Sequence, residues 1–233
     1  MNQKSQIPIT LKAPSSRTLS DYVADQLRHA ILMGQFKPNQ RLVEQDIAKS
    51  MKTSRGPVRD ALKILENEGL VKREAHRGAY VTELSQNDVR EIYTLREVLE
   101  TLAIKFAIHN ATETQIRELE EIIKSLGQAV YKDASYTKTT EIDLQFHHAL
   151  CQISGHRRLL ETWEALSPQI QLLLMKHAIW APDIYKDEAV LWHQRIVEAL
   201  QKKDLDFALD EMKKHMHRSI EWILESMERE NDM

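Results

Sequence analysis

Two sets of side chains in this chain of 233 residues have the types and spacing for chemistry. The first is built from imidazoles, because seven of the ten histidines fall after residue 140. Asp143 and His147 stand at i and i+4, so on one helix they project from the same face and can share an ion. His193 and His215 flank a turn at Lys203-Asp204, about ten residues before it and about eleven after. At ~1.5 Å per residue, an antiparallel helix pair brings the two rings to nearly the same height. Asp143, His147, His193 and His215 would then converge from three helices around one divalent metal. Imidazole with carboxylate suits Zn, Ni, Mn or Fe rather than Ca, and an ion that prefers six ligands keeps two places for another molecule. His148 and His217 point about 100° and 200° away from His147 and His215, so they are poor ligands on this geometry. Taken singly, any of these histidines is more often a core or surface residue than a ligand; His156 and His177 are read that way.

The second set is basic, and the pattern around it places it. Val43, Ile47, Ala48 and Met51 give a short helix over Leu42 to Met51 one buried face. Lys52-Thr53-Ser54-Arg55 breaks that pattern, and Gly56-Pro57 restarts it, proline being suited to a first helical position. Val58, Ala61, Leu62 and Leu65 then line one face of a second helix, which Gly69 ends. Leu70-Val71 and Ala79 to Thr82 are β-prone and enclose Ala75-His76-Arg77-Gly78, a hairpin with a basic tip. Helix, turn, helix and hairpin make a winged helix-turn-helix, in which the start of the second helix meets base edges in the major groove of double-stranded DNA. Arg55 and Arg59 occupy that start, where arginine can pair bidentately with the O6/N7 edge of guanine. An arbitrary pair of arginines is more often a solvated surface feature, so the reading rests on the surrounding pattern.

Composition bounds the rest. The chain is 42% hydrophobic and 29% charged with six glycines and six prolines, which describes a helix-rich globule. No apolar run is long enough to span a membrane. Residues 1–16 read as a flexible leader without a signal-peptide core. Cys151 is the only cysteine, which suits a reducing, cytoplasmic setting. Residues 1–84 carry a formal charge of +5 and residues 85–233 one of −8. The first part can attract a polyanion that the second would repel. The expected organisation is therefore a DNA-binding domain over 17–84, opened by a helix from Arg17 to Met33, and a ligand-binding and dimerisation domain over 85–233.

The second domain reads as an all-α bundle of six helices. The first, Asn87 to Asn110, follows a capping box at Ser85 and Asp88 and turns Val89, Ile92, Leu95, Leu99, Leu102, Ala103 and Phe106 inward. The others span about Glu113 to Lys132, Tyr136 to Ile153, His156 to Trp180 with an interruption or kink at Pro168, Asp187 to Lys202, and Leu205 to Glu230. Trp192, Phe146, Met175 and Leu172 are expected as pocket wall. The fold class is mostly α, a winged helix-turn-helix followed by this bundle.

The run TSRGPVRDALKILENEGLV followed by HRGAYV closely resembles the GntR family of bacterial transcriptional regulators, with its SR-x-PVR-x-AL run, L-x-x-x-GL and RG wing. The likeness begins at the L-x-x-G-x-x-x-P-x-x-R-L run that ends in Arg41-Leu42. It implies DNA contacts at Arg55, Arg59, Arg77 and Gly78. Ser54 belongs to the same run, and Arg41 is either a phosphate contact or a plain surface charge. Gly56 and Gln45 depart from the common pattern, each removing one possible DNA contact. The segments DLQFH, WHQRIVEAL and MKKHM resemble the FCD effector domain of the FadR-type branch, in its shorter, VanR-like variety. That likeness implies a divalent metal on Asp143, His147, His193 and His215, and an arginine, here Arg96, turned toward the effector. From spacing alone Arg96 is equally an i,i+4 partner for Glu100.

These readings imply a homodimeric repressor on a palindromic operator, released by a small carboxylate effector bound through the metal and Arg96. One alternative makes the metal itself the signal. Another, from a different class, is a metalloenzyme in which the metal activates water; spacing offers it no general base, since Glu141 and Glu198 read as surface positions.

Overall fold

A computed structural model describes residues 17–75, 77–131, 135–180 and 182–231. The expected leader lies outside the described residues, as does His76 of the expected hairpin tip. Helix α1 (Leu19–Leu32) is fixed at its start by Thr18, whose hydroxyl accepts from the Asp21 N–H at 3.1 Å while the Asp21 carboxylate accepts from the Thr18 N–H. That reciprocal pair satisfies two donors no helix can satisfy internally. The apolar face of α1, with Val23, Ala24, Leu27 and Ile31, is buried against α3.

Between them the chain forms β1 (Arg41–Leu42) and α2 (Glu44–Ser50). The expected helix from Leu42 to Met51 thus starts two residues later and ends one residue earlier. Leu42 is extended because it pairs with Ala79, and its side chain enters the core, while Val43 caps α2 and is exposed. Helix α3 (Arg55–Asn67) starts at Arg55, ahead of Gly56-Pro57, with Ser54 as its N-cap. It stops at Gly69, whose φ of +72° is a left-handed conformation that glycine adopts without steric cost. Leu70 N–H then bonds back to the Leu65 carbonyl at 3.0 Å. Strands β2 (Val71–Glu74) and β3 (Gly78–Val81) form the hairpin, and the antiparallel sheet has the order β1-β3-β2. The third strand, β1, is too short to show period-two alternation, so the sequence pattern did not expose it.

Six helices follow: α4 (Gln86–Asn110), α5 (Glu113–Tyr131), α6 (Tyr136–Ile153), α7 (Arg157–Trp180), α8 (Pro182–Lys202) and α9 (Leu205–Asn231). Ser85 and Asp88 form the expected capping box. Helix α7 continues through Pro168 without interruption, and α8 begins at Pro182 rather than Asp187. Between α8 and α9, Lys203 takes φ +54°, and the Asp204 carboxylate accepts from the Phe207 N–H at 3.1 Å to start α9. This tight turn folds the two helices against each other. Helix α4 packs on α6, α7 and α9, so it runs through the middle of the bundle.

One apolar cluster fills the winged unit and another the bundle, and Leu172 on α7 touches both. Beside it, Gln169 lies over Gly69; a Cβ built on that glycine would meet the Gln169 side chain at 2.5 Å. The Thr137 hydroxyl at the start of α6 reaches Met33 Sδ at 2.7 Å, giving a second point of contact between the two units.

Candidate metal centre and nucleic-acid interface

Three imidazoles meet inside the bundle. His147 comes from α6, His193 from α8 and His215 from α9. The Nε2 atom of His147 is 3.0 Å from that of His193 and 3.3 Å from that of His215. All three rings are buried. Asp143, one turn before His147, stands beside them, with a carboxylate oxygen 3.5 Å from His193 Nε2 and the other 3.9 Å from His147 Nε2. The expected four residues are therefore together, three in a close cluster and the carboxylate at its rim. Phe146 packs edge-on against His147 and His193 and closes one side, and Trp192 lies tilted beside His215.

The histidines expected to point elsewhere do so. His148 pairs with Glu164 at 2.8 Å, and His217 pairs with Glu221 on the surface. His156 accepts from the Leu159 N–H at the start of α7. The side chain of His177 lies outside the described residues. Met175 accepts from the Thr140 hydroxyl at 3.3 Å. Leu172, expected as pocket wall, instead bridges the two cores.

Around the cluster lies a charged layer whose burial spacing did not predict. Glu100 on α4 is fully buried. One carboxylate oxygen sits 2.5 Å from His147 Nδ1, and the other accepts from Arg96 Nε at 2.7 Å and Trp163 Nε1 at 2.9 Å. Burial alone would raise the Glu100 carboxyl, but Arg96 and His147 outweigh it and hold the group down at about 2. Burial first, and then the charges of His193, His147 and Arg96, keep His215 well below the usual histidine range, hence neutral and able to donate a lone pair. Arg96 has both features left open by its spacing. It is the i,i+4 partner of Glu100, and its Nη2 is buried with no hydrogen-bond partner among the described residues, while Nη1 is 3.5 Å from the Tyr93 hydroxyl. A buried guanidinium nitrogen without an acceptor is costly, on the order of 1–3 kcal/mol, unless an anion arrives to meet it.

The donor set fits a divalent ion. His147 turns Nδ1 to the Glu100 carboxylate and Nε2 toward two further imidazoles within 3.3 Å. Three ring nitrogens this close, with a carboxylate at the rim, are the donor types that zinc and similar divalent ions take, and one cation between them would be held by all four residues.

At the other end of the chain the basic set gathers in a cleft of about 420 Å³ lined by Arg41, Glu44, Arg55, Arg59, Arg73 and Gly78 among others. Arg55 and Arg59 stand on the first two turns of α3 with well-exposed side chains, and both reach one carboxylate, Glu44 of α2, at 3.3–3.4 Å. Burial works against ionisation of Glu44, but Arg59 and then Arg55 hold its carboxyl below the usual range. Arg41 lies across Gly78: a Cβ there would be 3.5 Å from Arg41 Nε, and Gly78 has φ +110°. Arg77 is exposed at the wing beside Glu74, and Ser54 caps α3 without a side-chain hydrogen bond. Sequence reasoning missed Glu44 and Arg73, whose guanidinium bonds the Arg59 carbonyl at 3.1 Å.

Comparison with known proteins agrees at both ends. Residues 19–81 match bacterial regulatory proteins of the gntR family, and residues 91–218 match the FCD domain. The HTH-type transcriptional regulator YdhC of Bacillus subtilis (strain 168) is 30% identical over 88% of this chain and 90% of its own length. The gluconate operon transcriptional repressor of Bacillus licheniformis is 28% identical over 90% and 91%. Among solved structures, Escherichia coli McbR/YncC superposes with a TM-score of 0.77 at 24% identity, covering 91% of this chain and all (100%) of that one. A putative GntR regulator from Rhodococcus sp. RHA1 gives a TM-score of 0.72 at 25% identity over 88% and 97%.

Proposed function

We propose that this chain, which belongs to the gntR family of bacterial regulatory proteins and carries an FCD domain, is a homodimeric repressor whose hold on a palindromic operator is controlled by a small carboxylate bound at a metal in the bundle. Transcriptional regulation comes with the family, and with it the metalloenzyme alternative falls away. The observation that carries the finer reading is the pairing of a three-histidine cluster with the orphaned Arg96 Nη2 in the same buried layer. A metal there supplies a fixed positive charge, and a second cation beside it selects for carboxylates that an acidic bundle would otherwise repel.

Arg55 and Arg59 are the proposed base readers, with Arg77, Gly78, Arg41 and Ser54 against the DNA backbone. Glu44 supports this role, because one carboxylate holds both guanidinium groups at the mouth of the cleft. Control would pass along α7. Trp163 on that helix bonds Glu100 at the metal layer, and Gln169 and Leu172 on the same helix rest against the DNA-binding unit. Dimer formation is supported by an apolar stripe on α4, where Leu95, Val98 and Phe106 are exposed.

The test starts from the untreated protein, assayed for bound metal by mass spectrometry. Operator release is then measured by gel shift with zinc, nickel or manganese alone and with acetate, malonate or citrate added. Release that needs both metal and carboxylate, and that is lost together with metal content in His193→Ala and His215→Ala, is the expected outcome. Release by metal alone would favour the metal as the signal. No bound ion, with both variants responding like the parent, would remove the metal from the mechanism.

A further inference from the structure

We infer that Glu100 is the positioning residue that makes His147 a metal ligand, by fixing which of its two ring nitrogens carries the proton. This rests on the metal reading above and goes beyond it to a residue that touches no ion. Three nitrogens converge on the Glu100 carboxylate: Arg96 Nε, Trp163 Nε1 and His147 Nδ1. Arginine and tryptophan can only donate, and an ionised carboxylate can only accept. His147 must therefore give its Nδ1 proton to Glu100, which leaves the lone pair on Nε2, the atom that faces His193 and His215. An imidazole without such a partner divides its proton between the two nitrogens and presents an N–H to the ion for part of the time.

The hydrogen-bond directions also say what an amide would do. In Glu100→Gln the shape is kept, but the single amide oxygen must face the two obligatory donors, Arg96 and Trp163. The NH2 group then faces His147 Nδ1, which has to accept. The ring is driven to the opposite tautomer, with Nε2–H aimed at the ion site. A near-isosteric change at a residue outside the coordination shell thus removes one of the three nitrogen ligands.

Full-length protein freed of metal is titrated with zinc(II) in competition with a chromophoric chelator, and the histidine tautomers are read by long-range 1H–15N NMR. The expected result is Nδ1–H on His147 in the parent and Nε2–H in Glu100→Gln. The zinc Kd of the variant should rise about ten- to a hundredfold, with an unchanged far-UV circular dichroism spectrum. Zinc binding by Glu100→Gln at parental affinity, alongside its loss in His193→Ala, overturns this inference and leaves the metal reading standing. A parent that binds no zinc overturns both. Should Glu100→Gln fail to fold, the parent spectrum decides alone: Nε2–H on His147 in the metal-free protein overturns the assignment.

Discussion

Arg55 and Arg59 illustrate how much a single residue owes to its place in the chain. Their number and spacing were readable because a restart of helical periodicity at Gly56-Pro57 puts them at a helix start, and the structure has them on the first two turns of α3. Glu44 was not readable as their partner, since nothing in a run of surface-type residues says which carboxylate lies between two guanidinium groups. The same is true of Glu100. Histidine and aspartate at helical spacing advertise a metal site, whereas a glutamate four residues after an arginine normally signals a solvated surface pair. Here both members are buried, and burial is decided by what packs over them from α6 and α7. If the two arginines each read a guanine, Arg55→Ala or Arg59→Ala should weaken operator binding by about 1–3 kcal/mol, concentrated at one base position. Thermal unfolding should be unchanged, because both side chains are exposed. Equal loss on every base substitution in a gel-shift titration would instead make them phosphate contacts.

At the scale of the element, caps and breakers were the most legible features. The Ser85 box and Gly69 fall where the sequence put them, because each acts within a few residues of its own position. Helix faces were less so. On α4 the expected inward residues Val89, Ile92, Leu99 and Ala103 are buried, yet Leu95 and Phe106 are exposed, Leu102 is half-buried, and Tyr93, Arg96 and Glu100 are fully covered. Hydrophobic periodicity assigns the apolar side to the core, and it fails when a helix has a polar site on its inner face and an apolar stripe outside. Helix α7 has a comparable double role, carrying Trp163 at the metal layer and Leu172 at the DNA-binding unit. If α7 transmits the state of the site, Leu172→Ala should leave zinc affinity at the parental value while the carboxylate-dependent change in operator affinity shrinks severalfold. Coupling between sites is a free energy, so the quantity to compare is the ratio of operator affinities with and without carboxylate, in parent and variant. A parental ratio in Leu172→Ala would take the coupling off this contact.

For the whole molecule the question is what covers the outer stripe of α4. Val98 is 63% exposed, Leu95 44% and Phe106 42%, along one side of a helix whose other faces meet α6, α7 and α9. Exposed apolar residues are ordinary one at a time, but several aligned along a helix mark a contact surface. A second copy is the natural occupant, since one recognition helix reads too few bases for a unique site, and a two-fold protein matches a two-fold operator. The charge division fits this arrangement. In such a dimer the bundles would meet through an apolar seam, leaving the units of positive balance outward for the DNA. Val98→Glu places two carboxylates into that seam in a symmetric pair, where burying them unpaired is costly. Sedimentation should then show a monomer at micromolar concentration, against a dimer for the parent. Affinity for a full palindrome should fall toward that for a half-site, because the second unit is no longer held at the right spacing. Zinc binding should survive, since Val98 faces away from His147, His193 and His215. A Val98→Glu protein that remains dimeric and grips the palindrome with parental affinity would show that the dimer forms through another face, and the stripe would then need a different partner.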